Sequence, residues 1–493
     1  RPAGVRRPHR GESTEKALPL MTTPTPDSHS SDAPRRPASA EPTNGGWATP
    51  HGRRQLFVVA AADFTVWAGG GAIFPYLPVF LQDEAGASLW WIGVIAAAYF
   101  VGVFTVSPFS GRLSDRIGRK PMLVGGTLAY GLSTLLFITT TEPALFVLFR
   151  LLEGMSVALI VPAGQAFIAE ITTDRNRSQA YGWWTSAQFG GLLIGPALAW
   201  PLYEVGGGQG LWAFYSIFIF GSALSLAAAV GLALLIREPE HAARARREVV
   251  ARPPVRSLLT RPVVAILIVV ATAEFTMGAW EVIWSIWLDS QGKSFAFIGI
   301  TWIAFSAPML LSFVGGRLAD RHSRFAIMVA GFTVQAVVWF AFSLTTISWV
   351  YVAALVVGGL AFALAFPAKQ ALLVQVSPAR WLGSVQGIEQ TSMQGAAFVG
   401  TLVAPLVYGA IGGWIFAVCG AVALAGVAVA GPILAREWPC IRAGARSCVA
   451  QPDDAATLGA GAPAAGTADA ASIAPVPAEA AAMPDAPAEA DAH

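Results

Sequence analysis

Charge, cysteine and histidine are all scarce in this 493-residue chain. Charged residues make up only 13%, against about 25% in a soluble domain. So few polar groups cannot cover a folded surface in water, and the solvent must be largely lipid. Three cysteines exclude a disulfide scaffold, since Cys419 lies in an apolar segment and Cys440 and Cys448 lie in a polar tail. The six histidines (His9, His29, His51, His241, His322, His493) all fall in tails or polar connections, which leaves proton chemistry inside the membrane to carboxylates. No His/Cys metal spacing and no nucleophile–base pair lies near an apolar segment. Neither a metal nor a catalytic residue is therefore expected. The sequence G-x-x-x-x-G-K-[ST] is also missing, so ATP is not implied. A formal net charge of only +2 gives no reason to expect a nucleic-acid partner.

What the chain has in abundance is apolar sequence, 55% of its residues. A helix needs roughly 20 apolar residues to cross the hydrocarbon core. That ruler marks twelve spans, near 55–82, 90–110, 121–141, 144–170, 179–203, 211–236, 262–288, 295–316, 325–346, 348–374, 382–408 and 413–435. Proline and glycine inside them are compatible with membrane helices. Residues 1–54, rich in Pro, Ser, Thr and Arg and without a signal-peptide pattern, read as a disordered tail. Residues 437–493, an Ala/Pro/Asp/Glu stretch of low complexity, read the same way. Two bundles, 55–236 and 262–436, are expected either side of an Arg-rich linker, 237–261.

Basic residues alternate from side to side. Arg53 and Arg54 precede the first span, a basic cluster at 111–120 follows the second, and Arg175 and Arg177 follow the fourth. Seven arginines occupy 237–261, and Arg317, Arg321, Arg324, Arg380 and Arg436 continue the series. The opposite connections carry Lys293 alone. Because positive loops stay inside, both termini are expected in the cytoplasm, on a multi-pass protein of the cell membrane. An even number of spans agrees, since it puts both termini on one side.

The cluster at 111–123, GRLSDRIGRKPML, has a weaker copy at 316–324, GRLADRHSR. At the resulting offset of 205, Gly111, Leu113, Asp115, Arg116 and Arg119 fall on Gly316, Leu318, Asp320, Arg321 and Arg324. The same register pairs Gly154 with Gly359, Pro162 with Pro367, Gly182 with Gly387 and Gly195 with Gly400. Two parallel halves of six helices follow, with a substrate site expected between them near the midplane. The loop GRLSDRIGRKP resembles the signature that the major facilitator superfamily carries between its second and third helices. LFRLLEGMSVA resembles the family's fourth-helix motif, with Arg150 as its buried arginine and Glu153 where Gln is frequent. Gly182, Gly191, Gly195 and Pro196 in the fifth span resemble the pattern of drug:proton antiporters, although Ala199 and Trp200 replace that pattern's closing glycines. IFPYLPVFL at the end of the first span is also similar to that branch.

The resemblance implies the all-α major facilitator fold, twelve transmembrane helices as two pseudo-symmetric six-helix bundles. It also implies a conformational latch on the cytoplasmic side, to which Gly111, Asp115, Arg116, Gly118, Arg119, Asp320 and Arg321 are assigned. Asp115, Arg116 and Arg119 would engage the helix ends of the other half. Gly118 has Ser323 as its counterpart, so the first copy is expected to carry more of the switching. In the fifth span the three glycines are expected on nearly one face, allowing close helix approach.

The candidate ionisable side chains at bilayer depth are Asp63, Arg150, Glu153, Glu274, Glu281, Lys369 and Glu389, each expensive there unless it faces protein or water. Asp63, a carboxylate that burial makes easier to protonate, suits a proton site or a packing hydrogen bond. Arg150 and Glu153, at i and i+3, suit a static pair or one that protonation releases toward another carboxylate. Glu274 and Glu281 share a helical face with Trp284, an arrangement fit for a lipophilic cation or for an interfacial aromatic belt. Gln386, Glu389 and Gln390 head a polar face on the eleventh span, where Glu389 and Lys369 are expected to pair as a gate latch.

The function expected is secondary transport by alternating access: proton-coupled export of small amphipathic or cationic compounds by a monomer, without a cofactor and without enzymatic activity. Transport of a specific metabolite (a sugar, an amino acid or a siderophore) and a non-transporting receptor on the same fold are the alternatives.

Overall fold

A computed structural model describes residues 50–172, 177–238, 254–378 and 381–443. Among these residues every regular element is helical, the expected outcome where lipid offers backbone groups no hydrogen bonds. The first span is α1 (Pro50–Ile73) and α2 (Leu77–Asp83). Pro75 has no N–H to give, and the chain turns between the two pieces. Next come α3 (Leu89–Ile117), α4 (Arg119–Leu135), α5 (Pro143–Ile171), α6 (Arg177–Val205) and α7 (Leu211–Leu235). A short α8 (Val255–Leu258) leads into α9 (Arg261–Ser290). The eighth span is likewise divided, into α10 (Phe295–Ser306) and α11 (Ser312–Arg321), by a 3-10 stretch that starts at Ala307 and holds Pro308. The last four are α12 (Arg324–Leu344), α13 (Ser348–Val376), α14 (Leu382–Ile411) and α15 (Ile415–Ala443).

Among the described residues, ten segments are long and apolar enough to cross a bilayer. One of them, Ser384–Pro439, runs through both α14 and α15. The helix α6 is not among the ten, because Gly, Ser, Thr and Gln dilute its apolar residues. Counting it, twelve rods stand side by side as the spacing implied. Two ends differ from expectation. The first helix starts at Pro50, inside the stretch read as a tail, and α15 runs on to Ala443 beyond the expected 436. The rest of both tails and residues 239–253 of the linker lie outside the described residues.

Helices α1–α7 pack chiefly on one another, α1 against α6 and α7 and α3 against α5; α9–α15 do the same, α9 against α14 and α15. From Gly46 onward the two groups form one compact unit. They join where α3 meets α14 and α6 meets α10. Glycine sets these distances. A Cβ on Gly154 would overlap the Tyr99 carbonyl of α3, and one on Gly359 would overlap the Phe305 carbonyl of α10. Repeat-related glycines thus do the same work in each group. Gly191 and Gly195 likewise press α6 onto α1, and Gly400 presses α14 onto α9 at Phe275.

Gly182 does not share that role, since a Cβ there meets nothing within 4 Å. Nine residues separate it from Gly191, which is two and a half helical turns, so the two face opposite ways. We therefore expect Gly154→Ala and Gly359→Ala each to lower stability by about 1–3 kcal/mol, read as thermal unfolding in detergent. Gly182→Ala should be neutral or slightly stabilising. Equal losses at all three positions would mean that packing is not what these glycines serve.

Contacts between the groups gather at the end opposite the arginine-rich loops. Phe295 stacks on Tyr76 at 3.7 Å and on Tyr203 at 3.9 Å between ring centroids, and the Tyr76 hydroxyl donates to the Phe295 carbonyl. Gly93 of α3 lies against Leu402 and Pro405 of α14, while Leu89 lies against Gly409. The seam is shut at this far end by aromatic and backbone contact.

Candidate functional site

The interior charges form two clusters. In the first, the Arg150 Nη1 donates to Glu153 Oε2 at 2.8 Å, and the Thr134 hydroxyl of α4 donates to Glu153 Oε1 at 2.9 Å. Arg150 and Glu153 are both buried, and the guanidinium lies 4.9 Å from the Tyr99 ring centroid on α3. That leaves the buried Arg150 Nε without a partner among the described residues. Across the seam, Glu281 of α9 stands within electrostatic reach of Arg150. Their depths agree. Arg150 is seven residues in from Pro143, Tyr99 ten from Leu89 and Glu281 nine from Ser290, all about 10–15 Å from the far end at ~1.5 Å per residue. A single arginine therefore has one carboxylate on its own helix and a second on the opposite group.

The second cluster belongs to α9–α15 alone. Lys369 Nζ of α13 donates to Glu389 Oε1 of α14 at 2.5 Å, with exposures of 1% and 3%. An ammonium so far from water needs every partner it can find. Phe366 offers its ring face at 4.2 Å and Met393 its sulfur at 3.9 Å. Glu274 lies within reach of both charges and of Glu281, so α9 carries a half-buried carboxylate into each cluster. Trp284 does not join them. It is fully buried in an aromatic core with Phe342, Tyr351 and Phe416, and its indole donates to Thr301. Its ring turns into the packing of α9–α15 instead of the seam. Gln386 and Gln390 are exposed, flanking the buried Glu389.

Asp63, midway along α1, is buried. Gln188 of α6 and Trp67 stand beside its carboxylate as donors, and its Oδ2 has no partner among the described residues. On α6, Pro196 presents its carbonyl to Gly299 of α10, which sets this helix at the seam.

At the arginine-rich end, Gly118 closes α3 and opens α4 with φ +104°, a conformation open to glycine. Glu238 comes up beneath it: its two oxygens accept the N–H groups of Arg119 at 2.5 Å and Lys120 at 2.8 Å. A carboxylate on the exposed N–H groups of a helix start is favourable. The Arg119 side chain bridges to Glu170 at 2.8 Å and to Ser114. Both of these partners lie on its own group. Ser323 has an ordinary extended conformation instead and caps α12 through its hydroxyl, which shows how the two loop copies diverged. Arg116 and Arg321 are exposed. Gly111 falls within α3, and the side chains of Asp115 and Asp320 lie outside the described residues.

Tyr99, Thr134, Phe366, Glu170 and Glu238 escaped the sequence reading. An exposed-looking Glu238 beside the linker and two hydroxyls in apolar runs carry no local pattern. Only the tertiary packing brings them to a charge.

Rods of this length with charge pairs in their interior define a multi-pass membrane carrier architecture. The sequence matches the Major Facilitator Superfamily over residues 56–307 and 275–440, and the chain belongs to that family. It is 34% identical over 192 residues to Multidrug resistance protein 2 of Bacillus subtilis, covering 38% of this chain and 45% of that one. With Quinolone resistance protein NorA of Staphylococcus aureus it shares 24% over 234 residues, covering 48% and 58%. The aligned part thus spans about half the length of these relatives. The solved D-xylose-proton symporter shares the fold, with TM-score 0.62 at 17% identity, covering 77% of this chain and 97% of the other.

Proposed function

We propose that the chain is a proton-driven exporter of small amphipathic or cationic compounds, acting as a monomer in the cell membrane by alternating access. The observation that carries this reading is the buried arginine with a carboxylate on either side of the seam. A proton on Glu153 cancels the charge that holds Arg150. The guanidinium then gains by turning to Glu281, which draws the groups together at the far end. Loss of that proton returns Arg150 to Glu153, the pairing seen here with the far end still shut by aromatic contact, and removes only the share of the hold that Arg150 and Glu281 supply. A ligand or proton shifts such a balance only through different affinity for the two states, and the exchange of partners supplies that difference.

Glu281 adds negative charge beside the seam and Glu274 adds more within reach of it on the same helix, which favours a cationic substrate. The names of the matched relatives, multidrug and quinolone resistance proteins, favour the same class. The basic loops orient both termini to the cytoplasm, and the far end where the groups meet is then the outer one. The proton gradient supplies the energy, no cofactor is required, and no nucleic acid or enzymatic step enters.

Everted vesicles test this. A panel of lipophilic cations and neutral drugs should accumulate when respiration energises the vesicles, and Asp63→Asn and Glu274→Gln should each reduce it. Uptake confined to one sugar, amino acid or siderophore would replace export of drugs by metabolite transport. Specific binding without flux of any compound would favour a receptor.

A further inference from the structure

The Asp63 carboxylate does not open toward the seam. It lines a cavity of about 10 Å³ whose walls all come from α1, α4, α5, α6 and α7. That volume suits one water and no drug-sized molecule. Most of the wall is apolar, and the exceptions besides Asp63 are the Thr127 hydroxyl and the indole of Trp184. Among the described residues no other charged or acidic group lines the cavity beside the carboxylate: α4 presents Leu123 and Thr127, α5 Ile160 and Gly164, α6 Trp184 and Gln188, and α7 Leu232. Asp63 is 7% exposed, and its Oδ2 is unpartnered. A buried oxygen without a donor is costly, and a single water in the cavity would satisfy it.

From that cavity a row of buried hydroxyls climbs one face of α4. Thr127, Tyr130 and Thr134 fall at i, i+3 and i+7, all nearly inaccessible. The Tyr130 hydroxyl lies against α1 at Gly70, where a Cβ would be 3.1 Å away, and it is within electrostatic reach of Glu153. Thr134 already donates to Glu153. The row thus starts at one buried acid and ends at another, entirely inside the first group.

Resting on the antiport reading above, we infer that α4 carries a proton relay between Glu153 and Asp63, with one water in the Asp63 cavity, separate from the substrate's place at the seam. The O–H bond of protonated Glu153 breaks and one forms on Asp63. Each hydroxyl between them accepts a proton on a lone pair and gives up its own, so none ends charged. Glu153 is thereby left as a carboxylate that recovers Arg150, while the substrate leaves by a different route. Glu153 faces Arg150, Thr134, Tyr130 and Tyr99; Arg150 is the cation among them, and Glu281 reaches it from across the seam.

The test uses the full chain in proteoliposomes with trapped pyranine for protons and tetraphenylphosphonium as probe. Thr127→Val and Tyr130→Phe remove hydroxyls with little change of shape. Gly164→Ala puts a methyl into the cavity, where its nearest neighbour, Trp184, is at an ordinary 3.5 Å. Each should slow gradient-driven proton flux about tenfold or more, while tetraphenylphosphonium affinity at fixed pH stays within about twofold. Thr127→Ser should restore the rate. Wild-type rates in Thr127→Val and Tyr130→Phe, or a Thr127→Ser variant as slow as Thr127→Val, would overturn the relay and leave antiport standing. Equal loss of probe affinity would overturn the separation of routes. Wild-type probe flux indifferent to the gradient would bring down antiport and relay together.

Discussion

Lys369→Met alone should cost about 3–5 kcal/mol of stability, because it strands the Glu389 carboxylate without its cation in a dry interior. The lysine is 1% exposed and its partner 3%, so water cannot substitute for the missing partner. Glu274, the next acid in reach, adds to the unbalanced negative charge. The double change Lys369→Met with Glu389→Leu removes both ions and should recover most of the loss, since a well-packed apolar pair is often as stable as a buried ionic one. Unfolding of the single and double variants in a detergent titration gives the coupling energy directly. The pair joins α13 to α14 within one group, so it anchors that group; it does not clasp the two groups together. A single variant as stable as the parent would mean that Glu389 readily takes up a proton, and the structural role would fall.

Glu281→Gln should leave the fold intact yet disable coupling. Its carboxylate is half-buried, and its interaction is with the charge of Arg150 across the seam. A hydrogen bond to a charged group is worth about 1.5–3 kcal/mol. Removing it from one conformation alone shifts the balance of states by about tenfold to 150-fold at 1.4 kcal/mol per decade. Arg150→Lys should fare similarly, because an ammonium is a point charge without the planar fork that can serve two carboxylates. Spin labels at the exposed Trp90 and Trp414, one on each group at the far end, would report the shift as a longer mean separation. An unchanged distance distribution in Glu281→Gln would remove this acid from the switch.

Much of the scaffold was legible before any coordinates. Apolar length gave twelve rods, basic loops gave their alternation, and a constant offset paired glycines that prove to occupy equivalent crossings in each group. Pro75 and Pro308 were visible too, but a membrane helix tolerates proline, so the breaks beside them needed the fold to declare themselves. Phase is where a linear reading fails. Gly182 was assigned to the packing face although its spacing turns it away, and Trp284 was assigned to the acids although its indole serves Thr301. The Arg150–Glu153 pair is local, i to i+3, and so could be read directly. Its reach to Glu281 and its link through Thr134 depend on which helices meet, and nothing in the periodicity of one helix reports on that.

Exchange of protons for substrate is the central claim, and reconstituted protein under an imposed pH gradient tests it most directly. Proton entry and tetraphenylphosphonium movement should be measured in the same vesicles, with Glu153→Gln alongside the parent. The account predicts that acidifying the outer side drives the cation toward it, that protons move oppositely, and that both movements stop together in Glu153→Gln. Cation movement that continues unchanged when the gradient is collapsed, or that survives Glu153→Gln, would contradict it.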